Sequence, residues 1–246
     1  MVWILKSDNT KCGGSLINSR WVLSAAHCFG SIEHIVLGDH DWSKHNDENL
    51  IVRSSGIVEH PEYDFDAGPD KRTVISIKFD IALVKLEQDI DFKKYPHIRP
   101  VCLPKATSKN NQYVGRDATI TGWGMLYRVR PEEGIYPDVL QQITGIVKSN
   151  QQCSKLVRCY EKELCDEAGL QVDKLCVMHV GGEACSGDSG SPLVTQSGNN
   201  YEQIGVMSFF DPPCNKEDYG VYTRVTTVLD WIKETVGTEH TNCPRK

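Results

Sequence analysis

The sequence predicts an all-β protein closed by a single C-terminal helix. Its apolar segments are short and either alternating or β-branched, as strands with a buried face require, and turn-forming clusters separate them. Helical periodicity is confined to the end, where Val225, Val228, Leu229, Ile232 and Val236 recur at spacings of three and four and draw one apolar stripe. In chain order the strand candidates include Ile35-Val36-Leu37, Leu50-Ile51-Val52, Ile81 to Leu86, Ile143 to Val147 and Ile204 to Phe209. Repeats and low-complexity tracts are absent, so these segments read as a barrel or sandwich.

At 246 residues the chain is long enough for one large domain or two small ones sharing a cleft. A hydrophobic content of 39% beside 24% charged residues is that of a soluble globular protein. The net charge of −6 disfavours nucleic acid and gives no membrane-surface signal, and no apolar run approaches the roughly 18–20 residues that span a bilayer. Ten cysteines point to an oxidising compartment. Zinc ligands come as closely spaced Cys pairs, which this chain lacks, so disulfides are preferred. No Asn-X-Ser/Thr acceptor occurs, so N-glycosylation is not expected.

Three segments carry chemistry. Ala184-Cys185-Ser186-Gly187-Asp188-Ser189-Gly190-Ser191-Pro192 sets a serine between glycines in a loop pinned by a cysteine and a proline. Upstream, Leu23-Ser24-Ala25-Ala26-His27-Cys28 places a histidine beside a cysteine after an apolar strand, and Phe79-Asp80-Ile81-Ala82-Leu83-Val84 leads a lone acid into another strand. A serine hydroxyl is a weak nucleophile and needs a base, and histidine titrates near the working pH. A buried carboxylate fixes the imidazole tautomer and stabilises the imidazolium. Gly187 lets the backbone approach a carbonyl, so the Gly187 and Ser189 amides can form an oxyanion hole. Each segment alone has a bland reading as a turn or strand edge. The order His27, Asp80, Ser189 makes nucleophilic acyl transfer the better one.

On these residues the chain resembles the catalytic domain of a chymotrypsin/trypsin-family serine protease over about Lys11 to Val236. Further matching segments are Cys12-Gly13-Gly14-Ser15-Leu16, Arg99-Pro100-Val101-Cys102-Leu103-Pro104, Thr121-Gly122-Trp123-Gly124 and Tyr219-Gly220-Val221-Tyr222-Thr223-Arg224-Val225. The Ser208-Phe209 step, the Cys102 segment and the spacing before Cys214 look most like arthropod haemolymph proteases of the clip-domain type.

The resemblance implies two antiparallel six-stranded β-barrels and a C-terminal helix. Residues 1–104 would form the first barrel, carrying His27 and Asp80, and 105–246 the second, carrying Ser189, with the boundary near Pro104 to Asn111. It implies the disulfides Cys12–Cys28, Cys153–Cys176 and Cys185–Cys214, with Cys159 and Cys165 pairing inside an insertion. Cys102 either bonds to a regulatory segment upstream, as in relatives with N-terminal modules, or pairs with Cys243. The substrate pocket would involve Glu183 at its floor with Ser208, Phe210 and Gly220. Asp188 would take an ion pair with an amino terminus freed by zymogen cleavage.

Several positions depart from the family pattern. The chain begins at Met1-Val2-Trp3-Ile4 inside the expected first strand, with no cleavage motif or signal peptide, and so reads as a fragment of a longer secreted precursor. Glu183 stands where trypsin-like relatives carry aspartate. Phe210 stands where glycine is usual and would crowd the pocket mouth, and Ser191 replaces another common glycine. Asp39, Asp47 and Glu48 lie in a loop of calcium-binding length, which either holds calcium or is an ordinary solvated acidic loop. Tyr219 replaces a commoner proline at a position that bears on a sodium response. Glu62 to Lys78 is an insertion expected to overhang the cleft, or to be a plain solvated loop, with Lys71-Arg72 as a nick site.

The sequence therefore reads as a secreted, extracellular serine endopeptidase cleaving after Arg or Lys within a limited-proteolysis cascade, with no required cofactor. Its partners would be protein substrates and serpin-type inhibitors, not nucleic acid or membrane. The alternatives left open are a catalytically weak or inactive protease-like binding module and a narrow-specificity, non-tryptic serine protease.

Overall fold

The computed structural model describes residues 1–30, 32–44, 49–67, 74–106, 112–130, 133–155, 165–166, 169–182, 184–210 and 219–237. In the first half the strands are β1 (Val2–Lys6), β2 (Lys11–Leu16), β3 (Trp21–Ser24), β4 (Ile32–Leu37), β5 (Leu50–Val52), β6 (Ser54–Glu59), β7 (Asp64–Ala67), β8 (Val74–Lys78) and β9 (Ala82–Leu86). Seven of them form one sheet in the order β5-β4-β1-β2-β3-β9-β6, and β7 and β8 make a separate hairpin. Only Arg53 separates β5 from β6, yet these lie at opposite ends of the sheet order. One segment broken at Arg53 thus spans both edges and curls the sheet, where six strands were expected to close as a barrel. The chain itself turns that corner, with no ladder across the gap.

The second half holds β10 (Asp117–Gly122), β11 (Tyr127–Arg130), β12 (Glu133–Ile135), β13 (Gln141–Lys148), β14 (Cys165–Asp166) and β15 (Gly169–Leu170). It continues with β16 (Lys174–His179), β17 (Pro192–Ser197), β18 (Asn200–Phe210) and β19 (Tyr219–Arg224). Six of these close a barrel in the order β10-β13-β16-β19-β18-β17.

Each half surrounds its own core. Ile4, Leu23, Ile35, Leu83 and Leu86 are among the buried residues of the first, and Ile120, Val147, Leu175, Val177, Leu193 and Tyr222 of the second. In β9 Lys85 alone is exposed, because its strand lies between two others and only one side chain escapes the core. A short turn, α1 (Asn150–Cys153), is capped by Ser149, whose hydroxyl accepts from Gln152 while the Gln152 side chain reaches back to the Ser149 amide. The expected terminal helix is α2 (Leu229–Val236), preceded by a tight turn at Val225–Thr227. The whole predicted stripe (Val225, Val228, Leu229, Ile232 and Val236) is buried, and it packs into the first core, so the end of the chain crosses back to the half that carries the histidine.

The expected insertion before Asp80 contains the β7–β8 hairpin. Ile77 at its base is buried with Cys153, Cys176, Leu170 and Tyr219 of the second half, so the insertion is anchored across the two halves. Lys71 and Arg72 lie outside the described residues.

Candidate active site

His27 sits in a short 3-10 turn, Ala26–Cys28, that follows β3. The buried small residues Ala25 and Ala26 let this turn press into the first core, and the Cys12–Cys28 disulfide ties its far end to β2. The imidazole Nδ1 lies 2.7 Å from Asp80 Oδ2, and the His27 backbone N–H donates to Oδ1 at 2.9 Å. One carboxylate therefore holds both ring and backbone, and Nε2 is the nitrogen left to accept a proton.

Asp80 is completely buried. Ser208 Oγ donates to Oδ2 at 2.6 Å, and Thr223 Oγ1 donates to the Asp80 carbonyl at 2.8 Å. Burial favours the neutral acid, but the His27 charge and the donors on His27 and Ser208 outweigh it and hold the carboxyl below its ordinary range. The same contest acts on His27: burial works against the imidazolium, and the Asp80 charge and hydrogen bond win, raising its pKa above the usual value. The His27 side chain is a quarter exposed, so it meets the cleft while its partner does not.

The serine loop is held from both halves. The Gly13 N–H of β2 donates to the Ser189 carbonyl at 2.7 Å, and Gly190 N–H donates to the Met207 carbonyl in β18 at 2.8 Å. Gly13 follows Cys12, which is bonded to Cys28 beside His27, so the same short piece of β2 positions base and serine. Gly190 has a φ of +79°, and a Cβ there would stand 2.2 Å from Ser24 Oγ, so only glycine fits. Gly187 also has positive φ, +98°, which turns its amide. The Gly187 and Ser189 amides donate to no acceptor among the described residues, as an oxyanion site requires. No hydrogen bond joins His27 to the Ser189 hydroxyl among the described residues, as is common before substrate draws such groups into line.

Asp188 is buried and accepts from the Gly124 N–H at 2.8 Å and the Cys185 N–H at 3.0 Å. No cation pairs with it among the described residues, and burial pushes its pKa up to about 6 against the pull of those two donors. Ser191 is also buried, and its hydroxyl has no hydrogen-bond partner among the described residues.

Among the remaining pocket candidates, Phe210 is half-buried, packs against the second core and pairs in register with Gly220 of β19. Crowding of the pocket mouth by its ring remains an expectation, since Glu183 and residues 211–218 lie outside the described residues. Ser208 was expected to touch substrate, and the structure places its hydroxyl on Asp80. Asp39 accepts from Asn49 Nδ2 at 3.3 Å. Glu183, Asp47, Glu48, Cys159, Cys214 and Cys243 lie outside the described residues. Cys153–Cys176 is formed, while Cys102, Cys165 and Cys185 are disulfide-bonded to partners outside the described residues.

Two arrangements near the site escaped the sequence reading, which named Ser208 for the substrate pocket alone. Thr223 and Ser208 act on Asp80 across 143 and 128 residues of sequence. Beside Gly187, where an added Cβ would meet Tyr136 at 3.5 Å, the Lys11 ammonium lies over the rings of Trp42 at 3.8 Å, Trp3 at 5.0 Å and Tyr136 at 5.4 Å. No local motif marks either arrangement.

The trypsin family model, described as Trypsin, matches residues 1–232. The chain belongs to the trypsin family. It is 33% identical over 234 residues to Trypsin II-P29 of Gallus gallus, covering 94% of this chain and 82% of that protein. It is 35% identical over 233 residues to the venom protease of Bombus pensylvanicus, covering 92% of this chain and 85% of the relative. The match to serine proteinase stubble of Drosophila melanogaster is 34% over 241 residues, covering 94% of this chain but 28% of that protein's length. The family domain is therefore a trypsin-like serine endopeptidase. No helix among the described residues is long and apolar enough to cross a membrane.

Proposed function

We propose that this domain is a secreted endopeptidase that hydrolyses peptide bonds after Arg or Lys, in a limited-proteolysis cascade, with Ser189 as nucleophile, His27 as general base and acid, and Asp80 as the orienting carboxylate. The observation that carries the assignment of roles is the double grip of Asp80 on His27, through Nδ1 at 2.7 Å and the backbone N–H at 2.9 Å. It leaves Nε2 as the proton acceptor.

Ser189 Oγ attacks the scissile carbonyl carbon while its proton passes to Nε2. The carbonyl oxygen becomes an oxyanion that accepts from the Gly187 and Ser189 amides. Collapse expels the amine, which takes the proton from His27 and leaves an acyl-Ser189 ester. Water then enters by the same route in reverse, and no cofactor enters these steps. The Glu183 carboxylate, six residues before Ser189, supports the preference for a basic side chain by charge pairing.

Asp188 supports latency. A buried carboxylate without a cation is costly, and a free amino group brought to it by cleavage of a longer precursor would relieve that cost and hold the serine loop. A comparison of this chain with a precursor-derived, cleaved form tests this: the cleaved form turns over peptides far faster, and equal turnover refutes it. Specificity is tested on the cleaved form with peptides varying only at the residue before the scissile bond. Glu183→Ala removes the preference for Arg over Leu, and an unchanged ranking would refute the tryptic assignment.

A further inference from the structure

Asp173 and Lys174 stand at the start of β16 in the second half, and they are 3% and 0% exposed. Their side chains form an ion pair. Taking two charges out of water costs several kcal/mol per ion, and apolar residues of the same volume often serve stability as well or better. The pair is therefore better explained by what it holds than by what it fills.

The Asp173 carboxylate also accepts from the backbone N–H of Phe79 at 2.8 Å, 94 residues away in sequence and in the other half of the molecule. Phe79 immediately precedes Asp80 and has a φ of +43°, one of two positive values at non-glycine residues among those described. Such a conformation is strained for a residue with a side chain and persists only where its surroundings impose it. Three contacts impose it here. The ring stacks on His60 with centroids 4.6 Å apart, the Phe79 carbonyl accepts from Ile81 N–H at 2.7 Å, and the amide is aimed at Asp173.

The support beneath Asp173 is continuous. Lys174 pairs in register with Thr223 of β19, whose hydroxyl holds the Asp80 carbonyl. Arg224 donates its N–H to the Asp173 carbonyl at 2.7 Å and its guanidinium to the Lys174 carbonyl at 2.8 and 3.1 Å. Asp173, just before β16, and Thr223, in β19, thus hold the chain on both sides of Asp80. The charges around Lys174 are Asp173, Asp80 and Lys78; burial weakens its ammonium, and the two carboxylates oppose that. Asp173 and Glu62 both act on His60, and Asp173 on Arg224.

We propose that Asp173 and Lys174 are positioning residues for the reaction: Lys174 fixes the Asp173 carboxylate, Asp173 fixes the Phe79 amide, and that amide sets the rotation of the peptide that presents Asp80 to His27. The proposal rests on the reading of Asp80 as the orienting acid.

Two double variants of the active enzyme that remove both charges of the pair test it, and in both Arg224 keeps its hydrogen bonds to the Asn150 side chain and the Val172 and Lys174 carbonyls. Asp173→Asn/Lys174→Met keeps an oxygen that can accept from Phe79, and Asp173→Leu/Lys174→Met does not. The Leu/Met variant is expected to lose kcat on the order of tenfold with KM within about twofold, since small misplacements of catalytic groups have large effects on the chemical step. Its acid limb in the pH profile of kcat/KM also moves to lower pH, because a misaligned Asp80 supports the imidazolium less. The Asn/Met variant recovers kcat to within about threefold of the parent and restores the limb. Equal kcat and coincident pH profiles for the two variants would overturn the proposal, whatever their thermal midpoints. Asp80→Asn and Ser189→Ala run alongside: near-normal activity in these would sink the serine-protease reading itself, whereas their inactivity beside equal double variants sinks the positioning role alone.

Discussion

On the acid–base side of the site, Asp80 receives donors from His27, its backbone and Ser208, and its own carbonyl receives Thr223. On the nucleophile side, among the described residues, Asp188 lies buried without a cation, the Ser191 hydroxyl has no partner and neither has the Trp123 indole N–H. The carboxylates of both sides are buried, yet only one has a cationic partner among the described residues. A satisfied polar network in a low dielectric is rigid, and an unsatisfied one raises the energy of the state that contains it. The contrast teaches that the histidine and its acid are prepared in advance, while the serine loop carries a standing cost that a further positive group would remove.

The largest expected effect comes from breaking the complete side. Asp80→Asn leaves the volume unchanged but removes the charge and the acceptor for His27 Nδ1, and kcat is expected to fall on the order of 10⁴-fold. Steady-state kinetics on the active enzyme measure it. A loss below tenfold would show that His27 does not depend on this carboxylate.

The two sides also differ in their response to pH. The His27 pKa is raised above 6.5, so its contribution to stability is present below that value and fades as pH climbs through the raised pKa. The Asp80 pKa is lowered below 3.8, so its contribution is present above that value and fades as pH falls through the lowered pKa. Their pair stabilises the fold between these limits. Asp188 acts in the opposite sense: with a pKa raised from 3.8 to about 6, the folded state binds a proton that the unfolded state has released, so stability falls as pH rises through that range. The loss is on the order of 3 kcal/mol by neutral pH. Urea unfolding of the parent and of Asp188→Asn from pH 3.5 to 7 isolates it, because the difference between them changes by that amount across the window. A pH-independent difference would mean that burial does not raise the Asp188 pKa.

Two serines sharpen the comparison at smaller scale. Ser24 Oγ donates to the Gly13 carbonyl at 2.7 Å, whereas Ser191 Oγ is buried without a partner. Ser24→Ala is expected to lower stability by about 1 kcal/mol and Ser191→Ala to raise it by about 1 kcal/mol or more. Calorimetric or denaturant unfolding reads both, and the same sign for the two would remove the distinction between the sides.

How far the sequence reveals these features follows from their range. His27, Asp80 and Ser189 are legible because each stands in a short local pattern, and the terminal stripe from Val225 to Val236 is legible because helical periodicity is local too. Arg53 as the corner of the first sheet is not, since a break in one strand leaves the apolar alternation on either side intact. Ser208, Thr223 and Asp173 reach the residues around Asp80 over 128, 143 and 94 positions, and no pattern at that range distinguishes a serine, threonine or aspartate that will meet a buried partner. Phe210 has a type that the sequence shows and a direction that it does not; the structure adds that its side chain is half-buried and packs against the second core.

The central claim is that Ser189 and His27, from opposite halves but positioned by the same short piece of β2, act as one chemical unit. The direct measurement is kcat/KM of the active enzyme for Ser189→Ala, His27→Ala and the double variant on one peptide substrate. Each single change is expected to lose on the order of 10⁴–10⁶-fold, with the double variant losing little more than either. Near-normal hydrolysis by Ser189→Ala, or losses that multiply in the double variant, would contradict the account.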